Sequence, residues 1–213
     1  MKLRESINVH NKKKCSHLKK HRIILTGDSN IKSYASSLKS ILSNNYEIYS
    51  IVKPESTTSA LNESAKREVS QLMQDNVIII CSGTNDYEDK FSWTLYNIRN
   101  FIKSNNHTNV ILMNIPFRYD LANAKFVNKK ISDLNRKLLK LTNALQHTSF
   151  LKTDTDRNLF TNHGLHLNKL GKQLVHYQIA SFLCHLLNRK TLLQSLSNGM
   201  KHMRMITSLM MKI

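Results

Sequence analysis

Three short stretches hold the residues whose chemistry stands out. The segment Arg22-Ile23-Ile24-Leu25-Thr26-Gly27-Asp28-Ser29-Asn30 runs from apolar residues into Gly-Asp-Ser, just ahead of a helical pattern. A serine at such a turn sits near a helix N-terminus, whose amide N–H groups favour developing negative charge. The position suits a nucleophile. It equally suits a plain N-cap, a role open also to Asp28 and Asn30. Ser82-Gly83-Thr84-Asn85-Asp86 forms a second glycine turn. Asp86 there reads either as a reacting carboxylate or as a cap for the turn or the next helix. His163-Gly164-Leu165-His166 brings two imidazoles close in sequence. A zinc site needs a third nearby ligand that this stretch does not offer, so no metal and no cofactor is expected.

The elements that must position these stretches follow from hydrophobic spacing. The apolar run ending at Gly27 reads as a buried strand. Ile31, Tyr34, Ala35, Leu38, Ile41 and Leu42 then recur at helical spacing. Residues 46–52 alternate as a strand, and a second helix spans roughly 59–74. Val77-Ile78-Ile79-Ile80-Cys81 has no polar alternation, which predicts a strand covered on both faces, as in a parallel sheet. A third helix is expected over 92–103, a strand over 109–114, and a long amphipathic helix over 128–144. A short strand at 148–151 and a last helix over 169–187 complete the pattern. Strands alternating with helices predict an α/β domain with right-handed crossovers. In such folds ligands bind beyond the carboxyl ends of the strands, and every stretch singled out above falls there.

The residues Gly27-Asp28-Ser29, Gly83-Thr84-Asn85-Asp86 and Gly164-Leu165-His166-Leu167-Asn168, followed by Gly171, resemble three of the four blocks of the SGNH (GDSL-type) hydrolase superfamily, in the right order. The resemblance covers about residues 22–187. It implies a three-layer α/β/α sandwich on a five-stranded parallel sheet, flavodoxin-like in architecture. It also implies an ester or acyl hydrolase with Ser29 as nucleophile and His166 as base. The Ser29 N–H and the Asn85 amide would hold the oxyanion, with Asp28, Gly83 and Asp86 in support. Two positions depart from the family pattern. His163 stands where the family has the Asp that orients the histidine, which leaves either Asp154 or Asp156, earlier in the same loop, to reach back to His166, or a Ser-His pair working alone, as in some members of the superfamily. Glu55 stands where the family has a glycine that donates its N–H to the oxyanion hole. Residues 114–121 and 160–168 further resemble an SGNH-like subgroup abundant in arthropod genomes, often near mobile elements.

The chain divides into a basic arm (1–21), the α/β domain (22–188) and a basic Met-rich helical tail (189–213). With 213 residues and 40% hydrophobic content it can bury a sizeable core. No run reaches the roughly 18 apolar residues of a membrane span. The start is basic and lacks an apolar signal core, so a cytoplasmic or nuclear protein is expected. Cys15, Cys81 and Cys184 lack metal spacing, consistent with a reducing compartment. Formal net charge is +18, from 32 basic and 14 acidic side chains. Such an excess favours polyanions. Two partner classes are therefore expected: a small ester, or RNA or DNA on the basic arm and surface of a catalytically weakened SGNH fold.

Overall fold

The computed structural model describes residues 21–86 and 91–187. The arm up to residue 20 and the tail from residue 188 lie outside the described residues. Five strands form one sheet: β1 His21–Gly27, β2 Tyr46–Val52, β3 Val77–Cys81, β4 Asn109–Met113 and β5 Thr148–Leu151. All neighbours are parallel, in the order β2-β1-β3-β4-β5. The helices are α1 Tyr34–Ile41, α2 Thr58–Val69, α3 Phe91–Ser104, α4 Ala124–Asn143 and α5 Lys169–Leu187. This is the expected α/β/α sandwich.

Side chains alternate across a strand, so each strand feeds two cores. Ile23 and Leu25 of β1, Val77 and Ile79 of β3 and Ile111 of β4 meet Leu38 of α1 and Val175, Ile179 and Leu183 of α5. Ile24, Ile78, Ile80, Val110 and Leu112 face the other way. They pack on Ala65 of α2, Ile98 and Ile102 of α3, and Ile131, Leu134 and Leu138 of α4. Two-sided cover explains why β3 reads as an unbroken apolar run.

The chain leaves β1 toward β2 on one side and returns to β3 on the other. The strand order therefore reverses between β1 and β3, and a crevice opens beyond their carboxyl ends. Ser29 follows β1 and Asn85 follows β3.

The spacing predicts one helix from Ile31 onward. Instead a short 3-10 turn, Ser29–Ile31, precedes α1. Asp28 caps that turn by accepting the Asn30 N–H, Lys32 leaves helical geometry, and Ser33 takes a left-handed conformation (φ 74°) before α1 starts.

His176 lies in the α1–α5 layer, 7% exposed, with its ring edge-on to Tyr34 at 4.6 Å. Its Nε2 is buried and has no hydrogen-bond partner among the described residues. Burial, and then the nearby Lys172 charge, push its pKa down to about 4. The folded state thus holds this ring neutral while the unfolded chain protonates it near the ordinary value of about 6.5. Stability from this group is complete above that value and is lost as pH falls toward the folded value. Native protein should therefore lose unfolding free energy relative to His176→Leu as pH drops from about 6.5 to about 4. Denaturant titrations across that window measure it; a difference that does not change with pH would refute the assignment.

Candidate active site

Gly27 ends β1 against the end of β3. A Cβ there would stand 2.6 Å from the Cys81 carbonyl oxygen. Its φ is not left-handed, so the glycine supplies room for close approach rather than an unusual turn. Asp28 follows, buried, with Oδ1 accepting the Asn30 N–H at 2.8 Å. The cap role thus falls on Asp28. Ser29 is half-buried as the first residue of the 3-10 turn, and its hydroxyl makes no hydrogen bond among the described residues. Burial raises the pKa of Asp28 against the opposing pull of hydrogen bonds from Asn30 and Thr84 and of the His166 charge.

His166 is carried by the long loop between β5 and α5. Thr161 N–H bonds the His166 carbonyl at 2.8 Å, and Phe160 bridges to Leu167, which closes the loop on itself. Gly164 has φ 88°, and a Cβ there would meet Tyr119 Cβ at 2.7 Å. Its carbonyl accepts the Tyr119 N–H at 3.1 Å, which ties this loop to the one after β4. His166 Nδ1 lies 3.0 Å from Asn30 Oδ1. A carboxamide oxygen only accepts, so this contact requires a proton on Nδ1 and leaves the Nε2 lone pair open. No hydrogen bond joins Ser29 to His166 among the described residues.

No hydrogen bond joins Asp154, Asp156 or His163 to His166 among the described residues. Asp154 and Asp156 are exposed, and Asp154 Oδ1 accepts the Asp156 N–H at 3.0 Å. His163 is exposed, close enough to Asp120 to help hold that carboxyl below its usual range, after the larger effect of Arg118. Asn30, one residue past the serine, was readable from sequence only as a cap. Its partner is 136 positions away, which no local pattern reveals.

Asn85 joins the turns after β1, β2 and β3. Its Nδ2 donates to the Ser56 carbonyl at 3.2 Å and to Asp28 Oδ2 at 3.5 Å. Asp86 is buried and accepts the Thr58 N–H at 3.0 Å and its hydroxyl. It therefore anchors the start of α2. Glu55 is exposed and left-handed, φ 57°. The backbone keeps there a conformation that glycine would take without strain. Arg118, buried, forks onto Asp120 through two 2.7 Å bonds and donates to the Thr84 carbonyl at 2.9 Å. Asn114 and Thr153 cross-bond between the ends of β4 and β5. The carboxyl rim is thus laced from loop to loop, and Ser29, Asn85 and His166 all belong to it. A pocket of about 30 Å³ lies among Asp28, Asn30, Tyr34, Thr84 and Leu167.

No family model and no curated protein sequence matches this chain. Solved structures share its fold. A GDSL-like lipase from Bacteroides thetaiotaomicron superposes with a TM-score of 0.63 at 17% identity, covering 78% of this chain and 89% of that one. The lipase/acylhydrolase from Enterococcus faecalis gives 0.63 at 17% identity, with 80% and 99% covered. The catalytic domain of a peptidoglycan O-acetyltransferase from Streptococcus pneumoniae gives 0.60 at 14%, with 82% and 97% covered.

Two outcomes are expected. Nitrogen NMR of His166 should find the Nδ1–H tautomer in native protein and a mixture in Asn30→Ala; an identical tautomer in both would remove Asn30 from the orienting role. Glu55→Gly should be neutral or stabilising by up to about 1 kcal/mol, because relief of left-handed strain outweighs the added freedom of the unfolded chain. A clear loss of stability on chemical unfolding would contradict that balance.

Proposed function

We propose that this chain is a serine acyl hydrolase acting on small esters. The observation that carries the reading is the bond between Asn30 Oδ1 and His166 Nδ1. It ties the serine-bearing turn to the histidine loop and selects the tautomer a base requires. In this reading Ser29 Oγ attacks the ester carbonyl while His166 Nε2 takes the hydroxyl proton. The oxyanion accepts from the Ser29 N–H, an amide at the start of its turn with no intrahelical partner, and from Asn85 Nδ2. The amide can meet the oxyanion by giving up its longer bond, the 3.5 Å contact to Asp28. The tetrahedral adduct expels the alcohol, which takes the proton from His166. Water then attacks the acyl-serine with His166 again as base, releasing the acid and restoring the hydroxyl.

The orienting group is a carboxamide where the family has a carboxylate. In the serine-protease triad an Asn in that place costs about 10⁴-fold, because the wrong tautomer forms. Here the oxygen faces the ring, so the tautomer is kept. What is lost is the negative charge that would steady the imidazolium, and a slow enzyme is expected. The finer placement, in the subgroup abundant in arthropod genomes, rests on residues 114–121 and 160–168 alone.

A fluorophosphonate probe should label the native protein, and Ser29→Ala should abolish the labelling. Folded protein that resists the probe would end the enzymatic reading.

A further inference from the structure

A second concave surface lies away from the rim. A groove of about 600 Å³ runs between α3 and α4, on the sheet face opposite α1 and α5. Tyr96, Arg99 and Lys103 follow one another at helical spacing along α3, and Lys137 and Lys140 line the facing side of α4. All five are exposed, and among the described residues no acidic side chain lines the groove. Asp133, the acid of α4, pairs with Arg136, which lines a different pocket on the other flank of the helix.

Aromatic rings stand beside these cations. Trp93 is 59% exposed and Tyr96 54% exposed, packed edge-to-face at 5.6 Å between ring centres. An exposed tryptophan wastes a large apolar surface unless something stacks on it. Simple solubility explains lysines on a helix, but not a tryptophan–tyrosine pair among them.

We propose that the α3–α4 groove binds single-stranded nucleic acid. Arg99, Lys103, Lys137 and Lys140 contact successive phosphates, and the Trp93–Tyr96 pair stacks on unpaired bases. Cations along a groove with aromatic platforms beside them are the chemistry that holds single strands without reading sequence. From Ser92 to Lys103 the α3 side of the groove extends about 16 Å, room for a short run of nucleotides. The site is separate from the Ser29 rim and does not depend on hydrolase activity.

Fluorescence anisotropy of the full-length protein with labelled oligouridylate and oligothymidylate tests this. Native protein should bind either strand, more weakly as salt rises. Lys137→Glu with Lys140→Glu should weaken binding more than tenfold and flatten the salt slope by about 1.4, for two lost phosphate contacts. Trp93→Ala should weaken binding about tenfold with the salt slope unchanged, a signature of stacking. All these residues are exposed, so the variants should keep the native melting midpoint. No binding, or equal binding by the groove variants, would overturn the proposal, as would loss only on replacing Lys12, Lys13 and Lys14 with Glu. Tighter binding of phosphatidylserine vesicles than of either strand, lost in the same groove variants, would also overturn it in favour of a lipid surface.

Discussion

The rim rests on how closely two strands can approach at their carboxyl ends. Gly27 pairs with Val52 on one side and Cys81 on the other. A single added carbon would press into the Cys81 carbonyl. That contact fixes where Asp28 enters the crevice, and Asp28 in turn fixes the tight turn that carries Ser29 and Asn30. Asn85 leans on the same carboxyl group. The geometry of hydroxyl, amide and imidazole therefore descends from one steric requirement in the sheet, before any polar interaction is counted. The polar contacts then lock what the sheet has placed. Buried Arg118 has its guanidinium satisfied by Asp120 and the Thr84 carbonyl, the condition under which a buried cation is tolerated.

The central strands were legible because burial on both faces leaves a plain apolar signature, and the edge strands because short apolar stretches stand between turn residues. Val77–Cys81 and Thr148–Leu151 have the bounds that periodicity predicts. Helix ends were less legible, because they are set by turns that hydrophobic spacing does not encode. The helix predicted to reach residue 74 stops at Val69, where Gln71 and Leu72 bond three residues back and tighten the chain. The long helix starts at Ala124 rather than 128, since the Leu121 and Asn123 carbonyls already organise its first turn. At the site, the three glycine-bearing stretches could be named from sequence. The group facing His166 could not, because the nearby sequence offers only carboxylates, whereas the structure supplies a neutral carboxamide from across the crevice. The α3–α4 groove was equally hidden. Its cations look like ordinary surface charge until two helices bring them together beside Trp93 and Tyr96.

Two surfaces of different character thus share one scaffold. The rim is small, partly buried and held by directional bonds. The groove is wide, open and governed by charge. The two are nevertheless joined through α4, whose Asn128 and Asn135 bond the backbone of the rim loop after β4 while Lys137 and Lys140 line the groove.

Cys81 occupies a telling place in this scaffold. It closes β3 against Gly27, its sulfur touches Met113 Sδ at 2.9 Å, and burial with the Asp28 charge holds its thiol firmly protonated. A thiol in that state is a poor nucleophile. Alkylating reagents should therefore react slowly with Cys81 even though it is only half-buried and lines the crevice, because the proton rather than the packing protects it. A covalent probe that enters the crevice thus meets a sulfur kept silent by its own weak acidity.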